Sequence, residues 1–276
     1  MAENPITDAL VLITGAARGM GALYARRAVA ARARAVALWD IDEDAAAGLA
    51  ADLSRSGVEV RGYRVDVSRR EEIVAGLERV RADFGTPDVI INNAGIVRGA
   101  PFWEHDPERD IEATMRINTL AAMQLTREVL PEMISDTSRP KRILNIASAA
   151  GTLANPNMSV YAASKWAMIG WSESVRLELG SYGHQHVKVT TFCPSYVSTG
   201  MFEGARGPLL TPILTPQSAT AAAWNGMLRG TPVVMRPWTV KLSMALRGIL
   251  PTPAWDYLAR RVFKVYSSMD EFKGRG

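Results

Sequence analysis

The chain has 276 residues, of which 47% are apolar and 22% charged, and it is long enough to bury a substantial core in one large domain or two small ones. Its single cysteine, Cys193, excludes an internal disulfide and favours a reducing compartment. No signal peptide is evident and no apolar run approaches the ~20 residues that span a bilayer. We therefore expect a cytoplasmic protein rather than a secreted or membrane-spanning one.

The net charge of +4 is unevenly distributed. Residues 236–276 hold eight basic and three acidic side chains, a net charge of +5, whereas the remainder holds 24 basic and 25 acidic ones, a net charge of −1. The basic character belongs to this segment and not to a nucleic-acid-binding face, so we expect no nucleic-acid partner. Only three histidines are present and no third ligand accompanies His184 and His186, so we expect no metal site.

The first predicted strand, 9–14, leads into a glycine-rich loop. Glycines at 15, 19 and 21 let the backbone turn sharply and approach a pyrophosphate at the N-terminus of a helix predicted over about 21–31. The spacing is Gly-x-x-x-Gly-x-Gly rather than the Gly-x-Gly-x-x-Gly fingerprint of dinucleotide-binding proteins. Strand, loop and helix in this order still indicate a dinucleotide site.

A second predicted strand, 35–39, ends at Asp40, nineteen residues after Gly21. A carboxylate at this place can accept hydrogen bonds from both ribose hydroxyls of NAD and would repel the 2′-phosphate of NADP. Two alternatives are open: Asp40 could instead cap the following helix, and Arg18 in the loop could reach a phosphate. We favour NAD.

The alternation of strands and helices continues along the chain. Single helices between strands predict one doubly wound, Rossmann-type parallel sheet of about seven strands, with helices on both faces and the site at the carboxyl ends of the strands. The residues at those ends are Asp40, Asp66, Asn93, Ser148 and Pro194. Further helices are predicted at about 43–54, 71–84, 107–134, 161–179 and 217–229, and further strands at 58–65, 88–91, 143–147, 187–192 and 233–235.

Three polar residues form a candidate catalytic group. Tyr161 and Lys165 lie four residues apart, which places both side chains on one face of a helix. A tyrosine with a pKa near ~10 is a poor base at neutral pH, and a neighbouring ammonium group favours the phenolate. Ser148 directly follows a buried strand and is placed to hold a substrate oxygen for Tyr161. On its own, Tyr-x-x-x-Lys would be an ordinary pair on a helix surface.

Together these motifs resemble the short-chain dehydrogenase/reductase family over about residues 8–235. The resemblance is carried by 14–21, Asn-Asn-Ala-Gly at 92–95, Asn118, Ser148, Tyr161-x-x-x-Lys165 and 194–199. It implies that Tyr161 is the catalytic acid/base and that Ser148 positions the reacting oxygen. It also implies that Lys165 lowers the tyrosine pKa and binds the nicotinamide ribose, while Asn118 anchors a water of a proton relay.

The same resemblance implies a set of cofactor-binding residues around the strand ends. One departure from the family pattern is Ser195, which stands after Pro194 where a glycine is usual. The set consists of Gly15, Arg18, Gly19, Met20, Gly21, Asp40, Asp66, Val67, Asn93, Ala94, Gly95, Tyr161, Lys165, Pro194, Val197 and Thr199.

Two stretches, 193–204 and 268–275, are similar to the branch that contains retinol dehydrogenases and membrane- or lipid-droplet-associated hydroxysteroid dehydrogenases. This similarity implies NAD-dependent oxidation of a lipophilic secondary or allylic alcohol, and a homodimer or homotetramer formed through two long helices. Two other functions remain open. An NADPH-dependent reductase of ketones or 3-oxoacyl groups is disfavoured by Asp40, and a non-catalytic nucleotide-sensing or scaffold protein is disfavoured by the complete catalytic set.

We divide the chain into an NAD-binding and catalytic domain, 1–235, and a C-terminal helical extension, 236–276, packed on the same domain or on a neighbouring subunit. Within the domain, 201–216 is rich in Met, Phe, Leu, Ile and Pro, which predicts an apolar substrate lid; a packed surface loop is the alternative.

The extension shows two apolar stripes at helical spacing, which we expect to close the substrate pocket. Basic residues opposite the second stripe also permit peripheral contact with an anionic membrane. The first stripe consists of Trp238, Leu242, Ala245, Leu246 and Ile249, and the second of Trp255, Leu258, Ala259, Val262, Phe263 and Tyr266.

Overall fold

The computed structural model describes residues 4–204, 207–209, 211–269 and 271–272. Within these ranges seven strands form one parallel sheet in the order β3-β2-β1-β4-β5-β6-β7, which confirms the predicted fold class. The strands are Leu10–Thr14 (β1), Ala35–Asp40 (β2), Glu59–Arg64 (β3), Val89–Asn92 (β4), Lys141–Ile146 (β5), Val187–Pro194 (β6) and Val233–Arg236 (β7).

Helices connect successive strands and cover both faces of the sheet. They are Gly19–Ala30 (α1), Glu43–Ser54 (α2), Arg70–Phe84 (α3), Ala113–Met115 (α4), Ala121–Ser135 (α5), Ser159–Ser181 (α6), Pro216–Arg229 (α7), Trp238–Ile249 (α8) and Thr252–Tyr257 (α9). The long helix predicted at 107–134 is continuous but irregular, because π-helical turns at Pro107–Glu112 and Arg116–Leu120 flank α4.

The two faces of the sheet carry separate apolar cores. Val11 and Ile13 belong to the core shared with α1 and α7, whereas Leu10 and Leu12 belong to the core shared with α3 and α5. Side chains alternate between faces along a strand, and here both faces are covered, so every residue of β1 is buried. This explains why β1 is a continuous apolar run in the sequence.

The second helix of the extension is shorter than the second stripe suggests. Helical structure continues from α9 through a π-helical turn at Leu258–Val262 and then ends. Lys264 adopts a left-handed conformation with φ of 54°, which a right-handed helix cannot continue through. Residues 205–206 and 210 of the predicted lid, and 270 and 273–276 of the extension, lie outside the described residues.

Candidate active site

A cleft of about 1360 Å³ runs along the carboxyl ends of the strands and brings together nearly all of the predicted site residues. Gly21 and Asn118 do not line it and are buried beneath it. The predicted residues that line the cleft are Gly15, Arg18, Gly19, Met20, Asp40, Asp66, Val67, Asn93, Ala94, Gly95, Ser148, Tyr161, Lys165, Pro194, Val197 and Thr199.

Two glycines of the glycine-rich loop, Gly15 and Gly21, are packed too tightly to be replaced by a residue with a side chain. Gly15 has a positive φ of 60°, and a Cβ there would lie 2.9 Å from the Cα of Ala94. A Cβ on Gly21 would lie 2.1 Å from the carbonyl oxygen of Gly15. The start of α1 is therefore held against the loop with its backbone open to the cleft. This arrangement suits a pyrophosphate, because the first amides of a helix have no partner within the helix.

Hydrogen bonds of Asn93 and Thr14 connect the carboxyl ends of the neighbouring strands β1 and β4. The side-chain amide of Asn93 donates to the carbonyls of Thr14 at 3.0 Å and Gly15 at 2.9 Å. The hydroxyl of Thr14 accepts from the backbone amides of Asn93 at 3.0 Å and Ala94 at 3.1 Å. Asn93 therefore shapes the cofactor cleft through the loop that it holds.

The carboxylate of Asp40 is oriented by two backbone amides. One oxygen accepts from Ala17 at 2.9 Å and the other from Asp42 at 3.1 Å. The residue that caps α2 is Asp42, whose side chain accepts from the amide of Ala45, so Asp40 is not the helix cap. Arg18 forms an ion pair with Asp42. Asp40 is thus left facing the cleft with lone pairs for further donors.

Tyr161 and Lys165 are both buried, and burial moves their pKa values in opposite directions. Burial raises the pKa of Tyr161 to about 12, and a hydrogen bond with Ser148 acts against this rise. Burial lowers the pKa of Lys165 to about 8. The lysine Nζ donates to the carbonyl of Ile146 at 2.9 Å and lies 5.8 Å from the centre of the Tyr161 ring. The net direction for Tyr161 differs from the lowering that the family resemblance implies, because desolvation is the largest contribution.

Asn118 lies in the π-helical turn before α5 and is fully buried. Its side chain accepts from the amide of Ile96 at 2.8 Å and donates to the carbonyl of the same residue at 2.9 Å. It also donates to the hydroxyl of Ser164 at 3.1 Å, and Ser164 donates to the carbonyl of Tyr161 at 2.7 Å. Asn118 therefore links the loop after β4 to the helix that carries Tyr161 and Lys165.

An apolar pocket of about 840 Å³ adjoins the cleft. Ser148, Ser195 and Phe202 line both spaces, so the pocket meets the cleft beside the catalytic candidates. Residues of the predicted lid and of the extension form much of its wall. The apolar lining consists of Ala149, Ala150, Leu153, Met158, Phe202, Pro208, Leu209, Trp238, Val240, Leu242, Phe263 and Val265.

The sequence matches a known protein family and several known proteins. A family model for short chain dehydrogenases matches residues 9–208. The chain belongs to the short-chain dehydrogenase/reductase family. It is 30% identical over 274 residues to estradiol 17-beta-dehydrogenase 11 of Rattus norvegicus, covering 99% of this chain and 90% of that protein. It is 32% identical over 249 residues to epidermal retinol dehydrogenase 2 of Mus musculus, covering 89% and 79% respectively. These relatives place it in the retinol and hydroxysteroid dehydrogenase branch, as the sequence predicted.

Solved structures of the family share the fold. A short-chain dehydrogenase/reductase from Burkholderia phymatum in complex with NAD superposes with a TM-score of 0.80 at 24% identity, covering 89% of this chain and 95% of that one. A short-chain dehydrogenase from Sphingobium yanoikuyae in complex with NADPH gives 0.73 at 28% identity, covering 88% and 97%. Both nicotinamide cofactors thus occur among the structural neighbours of this oxidoreductase.

Three hydrogen-bonded polar side chains on the pocket wall of this short-chain dehydrogenase/reductase were not predicted from the sequence motifs. The Asn155 amide donates to the hydroxyls of Ser268 at 2.9 Å and Tyr196 at 3.3 Å, and these hydroxyls lie 2.8 Å apart. Tyr196 and Ser268 fall within the two stretches that resemble the hydroxysteroid dehydrogenase branch, and that resemblance was the available signal.

The end of the 236–276 segment packs against earlier residues of its own chain. Met269 and Phe272 join Val97, Met158 and Tyr161 in one apolar cluster. Trp238 and Leu242 of the first stripe line the pocket, but most of the stripe is also exposed, and the buried residues of α8 are Thr239 and Val240. Trp238 is 64% exposed and Ile249 80% exposed. Within the described residues no helix is both long and apolar enough to cross a membrane.

Proposed function

We propose that the protein oxidises a lipophilic secondary or allylic alcohol, of steroid, retinoid or long-chain type, to the carbonyl with NAD as the acceptor. The observation that carries this proposal is the position of Ser148, which lines both the cleft beside the glycine-rich loop and the apolar pocket. Tyr161 lines the cleft, and its ring lies 5.8 Å from that of Phe202, which lines both spaces. A reacting carbon held here would touch the cofactor on one side and the apolar pocket on the other.

The cleft suits a nicotinamide dinucleotide at both ends. The glycine-rich loop offers helix amides to a pyrophosphate, and Lys165 lies at the opposite end beside Tyr161. Asp40 supports NAD over NADP, because a 2′-phosphate would stand against its carboxylate. Arg18 is already paired with Asp42 and is therefore a weaker partner for such a phosphate.

The oxidised nicotinamide, when bound, accepts the hydride from the alcohol carbon. Ser148 holds the hydroxyl oxygen of the substrate, and Tyr161 as the phenolate accepts the hydroxyl proton. Lys165 is the ammonium group placed to stabilise that phenolate. Asn118 holds the loop after β4 and, through Ser164, the helix that carries both residues, so it fixes their spacing.

The pocket supports a lipophilic substrate. Its lining is largely apolar, as is usual for sites that bind small lipophilic molecules. The relatives named for estradiol and for retinol are consistent with this class. Polar groups at Asn155, Tyr196 and Ser268 would meet the substrate away from the reacting carbon.

A panel of steroid alcohols, retinol and long-chain alcohols, each assayed with NAD and with NADP, tests the proposal. We expect turnover of at least one apolar alcohol with NAD in preference to NADP. Reduction of ketones or 3-oxoacyl groups with NADPH, without alcohol oxidation, would favour the reductase alternative, for which the NADPH-bound neighbour is the supporting observation. Nucleotide binding without turnover of any substrate would favour a sensing or scaffold role.

We also propose that the protein forms a homodimer or homotetramer through α5 and α6. Trp166 and Leu177 are large apolar side chains of α6 that are exposed in the single chain. Burying such side chains is favourable, by roughly 1.5–3 kcal/mol each. Light scattering during size-exclusion chromatography should give a mass of two or four chains, and a single-chain mass would contradict this.

A further inference from the structure

The apolar pocket contains a hydrogen-bonded polar cluster that does not line the cofactor cleft. The cluster consists of Asn155, Tyr196 and Ser268, and we call it the wall cluster. All three residues line the pocket, whereas Tyr161 lines the cleft and Ser148 lines both. The ring of Phe202 lies 5.8 Å from that of Tyr161 and 5.3 Å from that of Tyr196. A substrate whose alcohol is held at Ser148 therefore shares its cavity with the wall cluster.

The donor protons of the wall cluster are all used within the protein. Ser268 donates its hydroxyl proton to the carbonyl of Val265 at 2.7 Å, because a carbonyl can only accept. The hydroxyl of Tyr196, which lies 2.8 Å from that of Ser268, is then the donor of that pair. The side-chain amide of Asn155 donates to Ser268 at 2.9 Å and to Tyr196 at 3.3 Å. Burial raises the pKa of Tyr196, so its hydroxyl keeps its proton at neutral pH.

The neighbours of the Asn155 nitrogen fix the orientation of this amide. The sulfur of Met158 lies 3.5 Å from the nitrogen and can only accept. The oxygen of Ser268 also accepts there, since its own proton is used at Val265. The side-chain oxygen of Asn155 is buried, and no donor among the described residues pairs with it. The wall cluster therefore has unused lone pairs on Asn155 Oδ1 and Tyr196 Oη, but its own protons are all taken.

We propose that the wall cluster binds a second hydroxyl group of the substrate. The inference rests on the proposed function and narrows the lipophilic alcohol to a diol. One hydroxyl is oxidised at Ser148, and the other donates to Asn155 or Tyr196. A buried acceptor without a donor is unfavourable, and a substrate hydroxyl supplies the missing proton. A carbonyl or ether oxygen at the same place cannot donate and would meet lone pairs instead.

Such a cluster discriminates between alcohols that a purely apolar pocket would treat alike. A site built to hydrogen-bond a substrate hydroxyl rejects the analogue that lacks it, because the polar groups of the site are then left unpaired. Among the alcohols of the proposed function, a retinoid or long-chain alcohol with one hydroxyl leaves the wall cluster unpaired. A diol pairs it, while the largely apolar lining of the pocket accommodates the rest of the molecule.

Three alcohols of one carbon skeleton test the proposal with the full-length protein and NAD. The first is cyclohexylcyclohexanol, the second carries an additional tertiary hydroxyl on its second ring, and the third carries the methyl ether of that hydroxyl. A tertiary alcohol cannot be oxidised to a carbonyl, so each compound has one reacting site. We expect a roughly tenfold lower KM for the diol at similar kcat, because this contact is made equally in the ground and transition states.

Turnover and discrimination report on different claims. Oxidation of all three alcohols with equal KM values would overturn the inference and leave the proposed function intact. A lower KM for the methyl ether than for the diol would also overturn it, since the site would then be a donor. Calorimetric titration of the three compounds into the protein with NAD gives the same comparison as Kd values. Tighter binding of the diol without oxidation of any compound would support the wall cluster and count against the proposed function.

Two variants test whether the preference arises at the wall cluster. Asn155→Leu removes the unpaired oxygen at similar size, so the KM values of the diol and the mono-alcohol should become equal. Tyr196→Phe keeps the ring against Phe202 but frees one N–H of Asn155, so the methyl ether should gain on the diol. Thr239→Val is the control: it changes another polar residue of the pocket, bonded to Thr211 at 3.0 Å, and should retain the preference. A preference that survives both variants, or that is lost in the control, would overturn the assignment.

Discussion

The Nζ of Lys165 lies 5.8 Å from the centre of the Tyr161 ring, and both side chains are buried. Desolvation disfavours the charged form of each, so the pKa of the tyrosine rises to about 12 and that of the lysine falls to about 8. Burial is the largest cause of both shifts, so each group is favoured in its neutral form by its surroundings. Under the proposed function, the ammonium form of Lys165 would offset the cost of a phenolate at Tyr161.

Tyr161→Phe should abolish turnover while leaving NAD binding nearly intact. The substitution removes the hydroxyl that exchanges the proton, whereas the ring that packs in the apolar cluster remains. General acid–base groups typically contribute ~10²–10⁴-fold to a rate, and we expect a loss of that size in kcat. Steady-state kinetics and calorimetric titration with NAD would measure the two effects. A variant that keeps more than about a tenth of the wild-type rate would remove Tyr161 from the mechanism.

Lys165→Met should change how stability depends on pH. The pKa of Lys165 is about 8 in the folded chain against 10.5 in an unfolded one, so between these values the unfolded state binds more protons. The lysine therefore makes the free energy of unfolding rise as pH rises from about 8 to 10.5. This stabilisation is lost again as pH falls back to about 8.

We expect the variant to lack roughly 2 kcal/mol of this rise between about pH 7 and about pH 9.5. Urea unfolding of both proteins at the two pH values measures it. Burial raises the pKa of Cys193 to about 12, and Lys165 acts to lower it, so removing the lysine moves the thiol pKa further above this pH window. The difference between the two proteins at these pH values therefore reports on the lysine amine, and identical pH slopes would show that the amine is not desolvated.

Asp40→Ala/Ile41→Arg should shift cofactor preference toward NADP. The first change removes the carboxylate that would repel a 2′-phosphate, and the second places a guanidinium at an exposed cleft position. Hydrogen bonds to charged groups contribute ≈ 1.5–3 kcal/mol, which corresponds to about a tenfold to hundredfold gain in kcat/KM with NADP.

Asp40→Asn serves as the control for that change, since it keeps the shape and removes the charge. It should weaken the preference for NAD without creating one for NADP. A wild-type protein that already prefers NADP would reverse the interpretation of Asp40 and make Arg18 the residue to study.

Features that depend on local order were predictable from the sequence. The α2 boundaries agree with the prediction, and Asp40, Asn93 and Ser148 meet in one cleft because parallel strands place their carboxyl ends at one edge. Features that depend on how a residue packs against distant parts of the chain were not predictable from the sequence. The helical periodicity predicted the stripe that contains Trp238 and Ile249, but it did not predict which side of α8 packs against the protein. The burial that raises the pKa of Tyr161 could not be predicted from the sequence either.

Long-range contacts explain the polar group that was missed. Asn155 meets Tyr196 and Ser268 across separations of 41 and 113 residues, and no local pattern reports such a meeting. The alternative that Asp40 caps α2 was likewise decided only by geometry, because Asp40 and Asp42 are both suitable cap residues and the structure assigns the cap to Asp42.

Gly99 provides a test of whether the end of the extension closes the active site. A Cβ on Gly99 would lie 2.5 Å from the Phe272 ring, so Gly99→Ala should displace that ring from its cluster with Tyr161 and Met158. Overpacking of this kind typically costs about 1–3 kcal/mol. We expect a matching loss in the free energy of unfolding and a higher KM for bulky apolar alcohols, with NAD affinity unchanged.

Phe272→Ala supplies the second arm of this test. It removes the ring that Gly99→Ala would meet, so adding Gly99→Ala to a Phe272→Ala background should cost little further stability or affinity. This non-additivity is expected only for residues in contact, and a double-mutant cycle measures it. Additive effects of the two substitutions would show that Phe272 does not rest on Gly99 in solution, and the C-terminal segment would then lose its role in closing the pocket beside Tyr161.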